Sequence, residues 1–281
     1  MKSQVKYRIY PSLLDMFQRY LDLDYENHWL LCNDGTWRKN YNESTGEYWL
    51  TPDELEEHVR KELILAINRE SGEISRAADK GSVFNEILDC IILKKKATRS
   101  DISITSSSTF EYGGNTFNHP CIKGVMDGFE FIFDSSFCKD AANYFKGSLC
   151  QVYTDGLIST KYGGVKLYGY VDYLREDKVY DAKTTKRYEF GKFKDSWQKH
   201  VYPYTLIQSG RCTDIQSFEY SVFKLTDDTG NNPLITGELF PEVYTYDHDQ
   251  SECKIRGIVE HFVEFLEDNR EFITDKKIFN E

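Results

Sequence analysis

The sequence predicts one α/β domain in which a central mixed β-sheet is flanked by helices, with helical elements at the N-terminus and a helix at the C-terminus. Three observations carry that reading. Apolar residues recur at helical spacing through much of residues 12–94; β-branched and aromatic runs broken by Gly, Asn and Asp fill residues 102–183; and a helix, a strand and a further helix then succeed one another. Elements in this order layer as α/β. No linker-like composition and no internal repeat divides the 281 residues, so an N-terminal helical part (1–100), a sheet core (101–225) and a C-terminal segment (226–281) are expected to share one fold.

Each element has a local cause. In Ser12–Leu21, the side chains of Leu13, Leu14, Phe17, Tyr20 and Leu21 form one helical stripe, with Ser12 as N-cap after Pro11. Thr51-Pro52-Asp53-Glu54 reads as a capping box with proline at the first helical position, opening a helix to Asn68. A third helix over 80–94 turns Val83, Phe84, Ile87, Leu88, Ile91 and Ile92 inward. The sheet stretch is interrupted by one helix near 136–145. A helix over 195–208, a strand over 217–225 and a helix over 255–273, where apolar and acidic positions alternate at helical period, complete the order.

Composition excludes several classes. Hydrophobic residues make up 40% of the chain, and 18 Phe with 20 Tyr supply more core material than a disordered chain carries. A net charge of −11 excludes a protein that coats nucleic acid with its whole surface, while leaving room for a local basic track. Seven cysteines scattered from Cys32 to Cys253 contain no CxxC pair, so reduced thiols are expected, with neither zinc nor an iron–sulfur cluster. The six histidines form no HxH or HExxH signature. An N-terminus without an apolar targeting core, and no uninterrupted apolar run of membrane-spanning length, predict a cytoplasmic protein that does not enter a membrane.

The chemistry concentrates between Gly169 and Thr185. Two apolar runs flank the polar Arg175-Glu-Asp-Lys178, the pattern of a β-hairpin with those residues as its loop. Leu174 then faces Val179, which sets Asp172 opposite Asp181 with Cβ atoms roughly 5 Å apart. Strand alternation puts Asp172, Asp181 and Lys183 on one face and Val171, Tyr173, Tyr180 and Ala182 on the other. Carboxylates so close repel unless a cation lies between them, and an all-oxygen site suits Mg²⁺, or Mn²⁺ in its place. Such an ion lowers the pKa of water and offsets charge building on phosphorus, while the Lys183 ammonium adds a second cation there. The expected reaction is metal-assisted phosphoryl transfer to water. The competing reading of the same spacing is a surface hairpin with solvated acids.

Gly-Tyr-Val-Asp172, followed nine positions later by Asp181-Ala-Lys183-Thr, resembles the central motif of the PD-(D/E)XK nuclease superfamily in its RecB-like branch. Gly81-Ser-Val-Phe-Asn85-Glu86-Ile-Leu is similar to that branch's metal-binding helix, Gln198-Lys-His-Val-Tyr202 matches its Q-x-x-x-Y motif, and Tyr10-Pro-Ser12-Leu-Leu-Asp-Met-Phe resembles its first helix. Together these span residues 10–210. The resemblance implies a restriction-endonuclease-like core and a Mg²⁺-dependent exonuclease for DNA, in phage processing or in repair and recombination. It implies metal ligation by Asp172, Asp181 and the Ala182 carbonyl, positioning of a nucleophilic water by Lys183, and contacts to DNA from Gln198 and Tyr202. Asn85 stands where the branch has His or Glu. Its neutral amide oxygen is a weaker ligand, and Glu86 replaces it only if the helix rotates, since successive helical residues diverge by about 100°. Pro203, directly after Tyr202, predicts a kinked or shortened helix.

Charge placement agrees with a polyanionic substrate. Residues 183–200 hold six cations against Glu189 and Asp195, a local charge of +4 that leaves −15 elsewhere. Lys186, Arg187 and Lys199 form the expected backbone contacts, and Tyr188, Phe190, Phe193 and Trp197 offer stacking surfaces for unpaired bases. Gly124-Val-Met-Asp127 with Asp134 lacks a following lysine and is assigned to turns and strand ends. Two other functions stay open: a nuclease-fold protein that binds nucleic acid or serves an assembly without turnover, with Asn85 as the lesion, and a carboxylate-pair glycosidase, which leaves the basic track unexplained. A homo-oligomer is compatible with the sequence and not required by it.

Overall fold

The computed structural model describes residues 4–31, 37–70, 75–226, 228 and 232–281. Strand β1 (Val5–Ile9) turns at once into helix α1 (Pro11–Leu21), which buries Leu13, Leu14 and Phe17. Pro11 takes the first helical turn, where a missing N–H costs nothing, so Tyr10 rather than Ser12 is the N-cap residue. Four short strands follow, β2 (Trp29–Leu31) paired with β3 (Trp37–Lys39) and β4 (Tyr41–Asn42) with β5 (Glu47–Tyr48). Helix α2 (Pro52–Ile67) opens on the expected capping box, with Thr51 Oγ1 accepting from the Glu54 N–H and the Glu54 carboxylate from the Thr51 N–H. Helix α3 (Arg76–Leu93) starts earlier than its apolar stripe, because the Ser75 hydroxyl accepts from the Ala78 N–H and caps it there.

The β-rich middle is two sheets rather than one. Strands β6 (Ser103–Tyr112), β7 (Asn115–Met126) and β8 (Phe129–Asp134) form an antiparallel meander, and α4 (Ser135–Tyr144), N-capped by Asp134, leads out of it. The main sheet then takes β9 (Leu149–Thr160), β10 (Gly163–Arg175), β11 (Lys178–Thr185) and, after α5 (Gln198–Gln208), β12 (Ser217–Leu225). Strand β13 (Leu234–Ile235) returns to the meander beside β8, and β14 (Gly237–Thr245) closes the main sheet before α6 (His248–Asp268). Its order is β1-β10-β11-β12-β14, with β9 also against β10; β1/β10 and β11/β12 are parallel and the remaining pairs antiparallel. A mixed sheet with helices on both faces is therefore the frame.

Three apolar clusters fix those faces. On one side Phe17 of α1, Leu63 of α2 and Phe262 of α6 pack over Ile158, Val165 and Leu167. On the other, Phe84 of α3 and Phe145 after α4 pack over Tyr173, Tyr180 and Phe223, and Phe145 stacks on Tyr173 at 4.0 Å between centroids. A third cluster sets Tyr202 and Leu206 of α5 against Val171, Val179 and Tyr220. Val171 thus packs apart from Tyr173, contrary to simple alternation; Gln151, on the neighbouring strand between the residues that pair with Val171 and Tyr173, has φ +50° and marks the irregularity. Helix α5 runs through Pro203 instead of ending there, its flanking positions buried and the Thr205 hydroxyl donating to the Val201 and Tyr202 carbonyls. Helix α6 begins before its apolar run because Asp247 caps it, and it ends at Asp268. Cys32 lies outside the described residues, and the other six cysteines are free thiols. Among the described residues no helix is long and apolar enough to cross a membrane.

Candidate active site

Strand β10 is shared along one edge by two partners in succession. Residues 164–167 pair with β1 and residues 173–175 with β11, leaving 168–172 between them, while β9 covers the opposite edge. Past Tyr180, β11 leaves β10 and follows β12, from Asp181 opposite Tyr220 to Thr185 opposite Lys224. A fork opens where Asp172 and Asp181 lie. The expected register holds up to Tyr173–Tyr180, although the turn is only Glu176-Asp177, because Arg175 and Lys178 still pair. Splitting two strands frees a backbone donor, and Asp172 recovers it: its Oδ2 accepts from the Ala182 N–H at 2.9 Å.

Lys183 projects into the same fork. Its Nζ stands 2.6 Å from Asp181 Oδ2 and donates to Gln198 Oε1 at 2.7 Å. Gln198 is the first residue of α5, and its Nε2 lies 3.5 Å from the Tyr202 hydroxyl one turn on. Tyr202 is buried, its ring seated on Gly169, where a Cβ would come within 2.7 Å of Cε1. A residue not singled out from the sequence, Asp15 of α1, completes the arrangement. Its Oδ1 accepts from the Trp197 N–H at 2.6 Å and its Oδ2 from the Ser196 hydroxyl at 2.9 Å, tying α1 to the start of α5. The signal for it was a lone acid inside the Leu13, Leu14, Phe17 stripe.

The electrostatics follow from burial. Asp181 is 3% exposed. Burial first, and the Asp181 charge second, raise the Asp172 carboxyl well above its ordinary value, against the lowering effects of Lys183 and the Ala182 N–H. Burial alone would depress Lys183, but Asp181 and Asp172 outweigh it and hold the ammonium above its usual range. Asp15 is raised by burial in spite of its two donors and Lys183.

Helix α3 meets β11 at Gly81, with Asn85 and Asp89 one and two turns further along the same face. A Cβ at Gly81 would meet Thr184 Oγ1 at 2.6 Å. Asp89, 7% exposed and pushed up to about 6 by burial, neighbours Tyr173 and Gln151, and its charge also acts on Asp172. Asn85 lies between Gly81 and Asp89 on the helix, and its buried Oδ1 has no hydrogen-bond partner; nor does Asp89 Oδ1. Glu86 points elsewhere, its Oε1 accepting from the Thr98 N–H at 2.5 Å and from the Thr98 hydroxyl at 3.2 Å. Among the described residues no group of three or more His, Cys, Asp or Glu side chains is placed to hold a metal ion. The set at the fork has another composition, the carboxylates of Asp172 and Asp181 beside the Ala182 backbone. Carboxylate and backbone oxygens, with no nitrogen or sulfur donor among them, are the donor type that suits a hard dication.

Of the basic track, Lys186 and Arg187 are exposed, whereas Lys199 is half-buried, with Nζ against the Lys194 carbonyl and 4.8 Å above the Tyr244 ring. Tyr188 is stacked on Phe240, Phe193 packs on the α5 cluster with its ring 5.8 Å from that of Tyr220, and Trp197 packs on the α1–α6 cluster, which leaves Phe190, 80% exposed. The Asp127–Asp134 pair serves turns and ends: Asp127 has φ +48° before Gly128, and Asp134 caps α4 with His119 2.5 Å from its other oxygen. No protein-family model matches the chain, and no curated protein matches it.

Proposed function

We propose that the protein is a divalent-metal-dependent deoxyribonuclease of exonuclease type on a restriction-endonuclease-like core, acting in phage DNA processing or in repair and recombination. The observation that carries this reading is the convergence of Asp172, Asp181 and Lys183 on one fork, with the ammonium held by Gln198. Asp172, Asp181, the Ala182 carbonyl and Asn85 would hold Mg²⁺, for which Mn²⁺ substitutes. When bound, the ion lowers the pKa of water and offsets negative charge on a phosphoryl oxygen. The chain's own residues supply the rest. Lys183, kept protonated by its acids, offers a fixed cation where charge grows on phosphorus. Gln198 limits the directions that ammonium can take, Asp15 fixes the helix start that carries Gln198, and Tyr202 seats the helix on β10. Lys186 and Arg187, both exposed, together with Lys199 would bind neighbouring phosphates.

The neutral Asn85 favours a second reading, a protein that binds nucleic acid without turnover. End-labelled single- and double-stranded DNA incubated with Mg²⁺ or Mn²⁺ separates the two. Loss of label is expected from the unmodified protein, stopped by EDTA and reduced about a hundredfold or more in Asp181→Ala and Lys183→Ala. Binding with no loss of label under either metal selects the second reading.

A further inference from the structure

One stretch of the main sheet turns an aromatic and cationic face outward. Along β10, Val165 and Leu167 pack into the α1–α6 cluster, Gly169 lies under the Tyr202 ring of α5, and Val171 joins the α5 cluster. The alternate positions Lys166, Tyr168 and Tyr170 therefore face the other way. On that side α3 and α4 pack on Tyr173, Tyr180 and Phe223 and not on these three. Register adds their neighbours: Arg8 of β1 lies beside Lys166, and Asp155 and Tyr153 of β9 lie beside Tyr168 and Tyr170. The contacts agree. The Arg8 guanidinium lies over the Tyr168 ring at 5.4 Å, the Tyr153 and Tyr170 rings meet edge to face at 5.3 Å, and Lys166 Nζ is 2.5 Å from Asp155 Oδ2. Tyr170 is 58% exposed. Lys166, with more remote help from Arg211, holds the Asp155 carboxyl below its ordinary value, so the acid among these residues is already neutralised. Arg8 and the exposed Lys6, at the bulge where β1 joins β10, form no ion pair among the described residues. At the rim Arg69 pairs with Asp275 at 2.9 Å. The whole chain carries −11, which makes this local excess of cations a departure from the rest of the surface.

We infer that this sheet face is a second nucleic-acid-binding surface, on which a base stacks on Tyr170 and a neighbouring phosphate meets Arg8. The surface rests on the nuclease reading for its substrate and adds a contact outside both the fork and the 183–199 track. Tyr170 stands two residues before Asp172 on the same strand, about 7 Å at strand rise, so nucleic acid held at the fork extends directly onto it. A lone exposed tyrosine is ordinary. Here the ring is propped by Tyr153 and flanked by cations without acids of their own, and that pairing matches an unpaired nucleotide, apolar on its base face and anionic along its backbone. An acidic protein segment would match the cations and leave the rings unused. A second copy of this chain, docked face to face, would set these cations against their own counterparts.

Fluorescence anisotropy on the full chain in EDTA, with a labelled twelve-residue oligo-dT, tests this. Tyr170→Ala should weaken binding about tenfold at unchanged Tm, and Tyr170→Trp, which keeps a stacking ring, should not weaken it. Arg8→Gln is read alongside in case the alanine variant unfolds; it should weaken binding and flatten the dependence of log affinity on log salt by about 0.7. An oligomer carrying iodouracil, irradiated on the protein, should crosslink to the peptide that contains Tyr170. Absence of binding, folded Tyr170 and Arg8 variants that bind like the unmodified protein, or a crosslink confined to residues 183–199 overturns the inference. So does a dimer that Tyr170→Ala converts to a monomer with its affinity for oligo-dT unchanged. Adding Mn²⁺ tests the underlying reading separately. Binding that depends on Tyr170 and Arg8, without cleavage, sinks the nuclease and keeps the surface; cleavage by a protein whose binding ignores both residues does the reverse.

Discussion

Asp172 and Asp181 share one ammonium, so without a dication the fork holds more negative charge than it neutralises. Asp172→Asn removes one of those charges, and its amide oxygen can still accept from the Ala182 N–H. We expect a higher Tm than the unmodified protein in EDTA at pH 7.5, together with loss of the Tm rise that Mn²⁺ gives the unmodified protein; a lower Tm in EDTA would show that the carboxylate is adequately paired as it stands. Asp89 titrates on its own account. Burial lifts it from 3.8 to about 6, so its contribution to stability is complete below its unfolded value and is lost as pH rises through about 6. Between pH 4 and pH 7, Asp89→Asn should therefore gain on the unmodified protein by up to about 3 kcal/mol in urea unfolding. His200, pushed down to about 4 by burial and next to Ser251, weakens the fold as pH falls through the same range. The variant-minus-parent difference, and not the parental curve, is thus the quantity to plot.

At the scale of elements, the seat of α5 on β10 is the tightest joint around the site. A methyl at position 169 would stand 2.7 Å from Tyr202 Cε1, so Gly169→Ala must push the helix start that carries Gln198. A loss of about 1–3 kcal/mol is expected by urea denaturation, with a slower loss of DNA label; unchanged stability would mean the ring yields freely. The hairpin was legible in the sequence because its apolar pairs give one register whether Arg175 and Lys178 count as loop or strand. The side taken by Val171 was not, since the irregularity lies at Gln151 on the neighbouring strand, where no pattern in β10 records it. Asp15 left a readable trace, a single acid within an apolar helical stripe, whereas Asp89 shares its apolar run with Glu86. Strand β1 left none, because five residues gain their meaning only beside partners at 164–167. The early helix end that Pro203 suggests does not occur, for a related reason: local backbone preference yields where burial on both flanks holds the helix.

For the whole molecule, the largest apolar cluster joins residues far apart in the chain: Tyr7, Ile9, Leu13 and Phe17 share it with Ile255, Phe262, Phe265 and Phe279. Phe262 is fully buried with its ring centroid 5.0 Å from that of Phe17. Phe262→Ala should cost about 3–5 kcal/mol, seen as a lower urea midpoint in one cooperative transition; two separate transitions would show that the joined ends form a unit of their own. The arrangement also sets an order of events at the ribosome. Strand β1 and helix α1 emerge well before their cover in α6 has been translated, so their greasy side must wait, shielded by a chaperone or by transient collapse, until α6 arrives. A stall in translation before α6 would release a chain whose opening segment adheres to its neighbours.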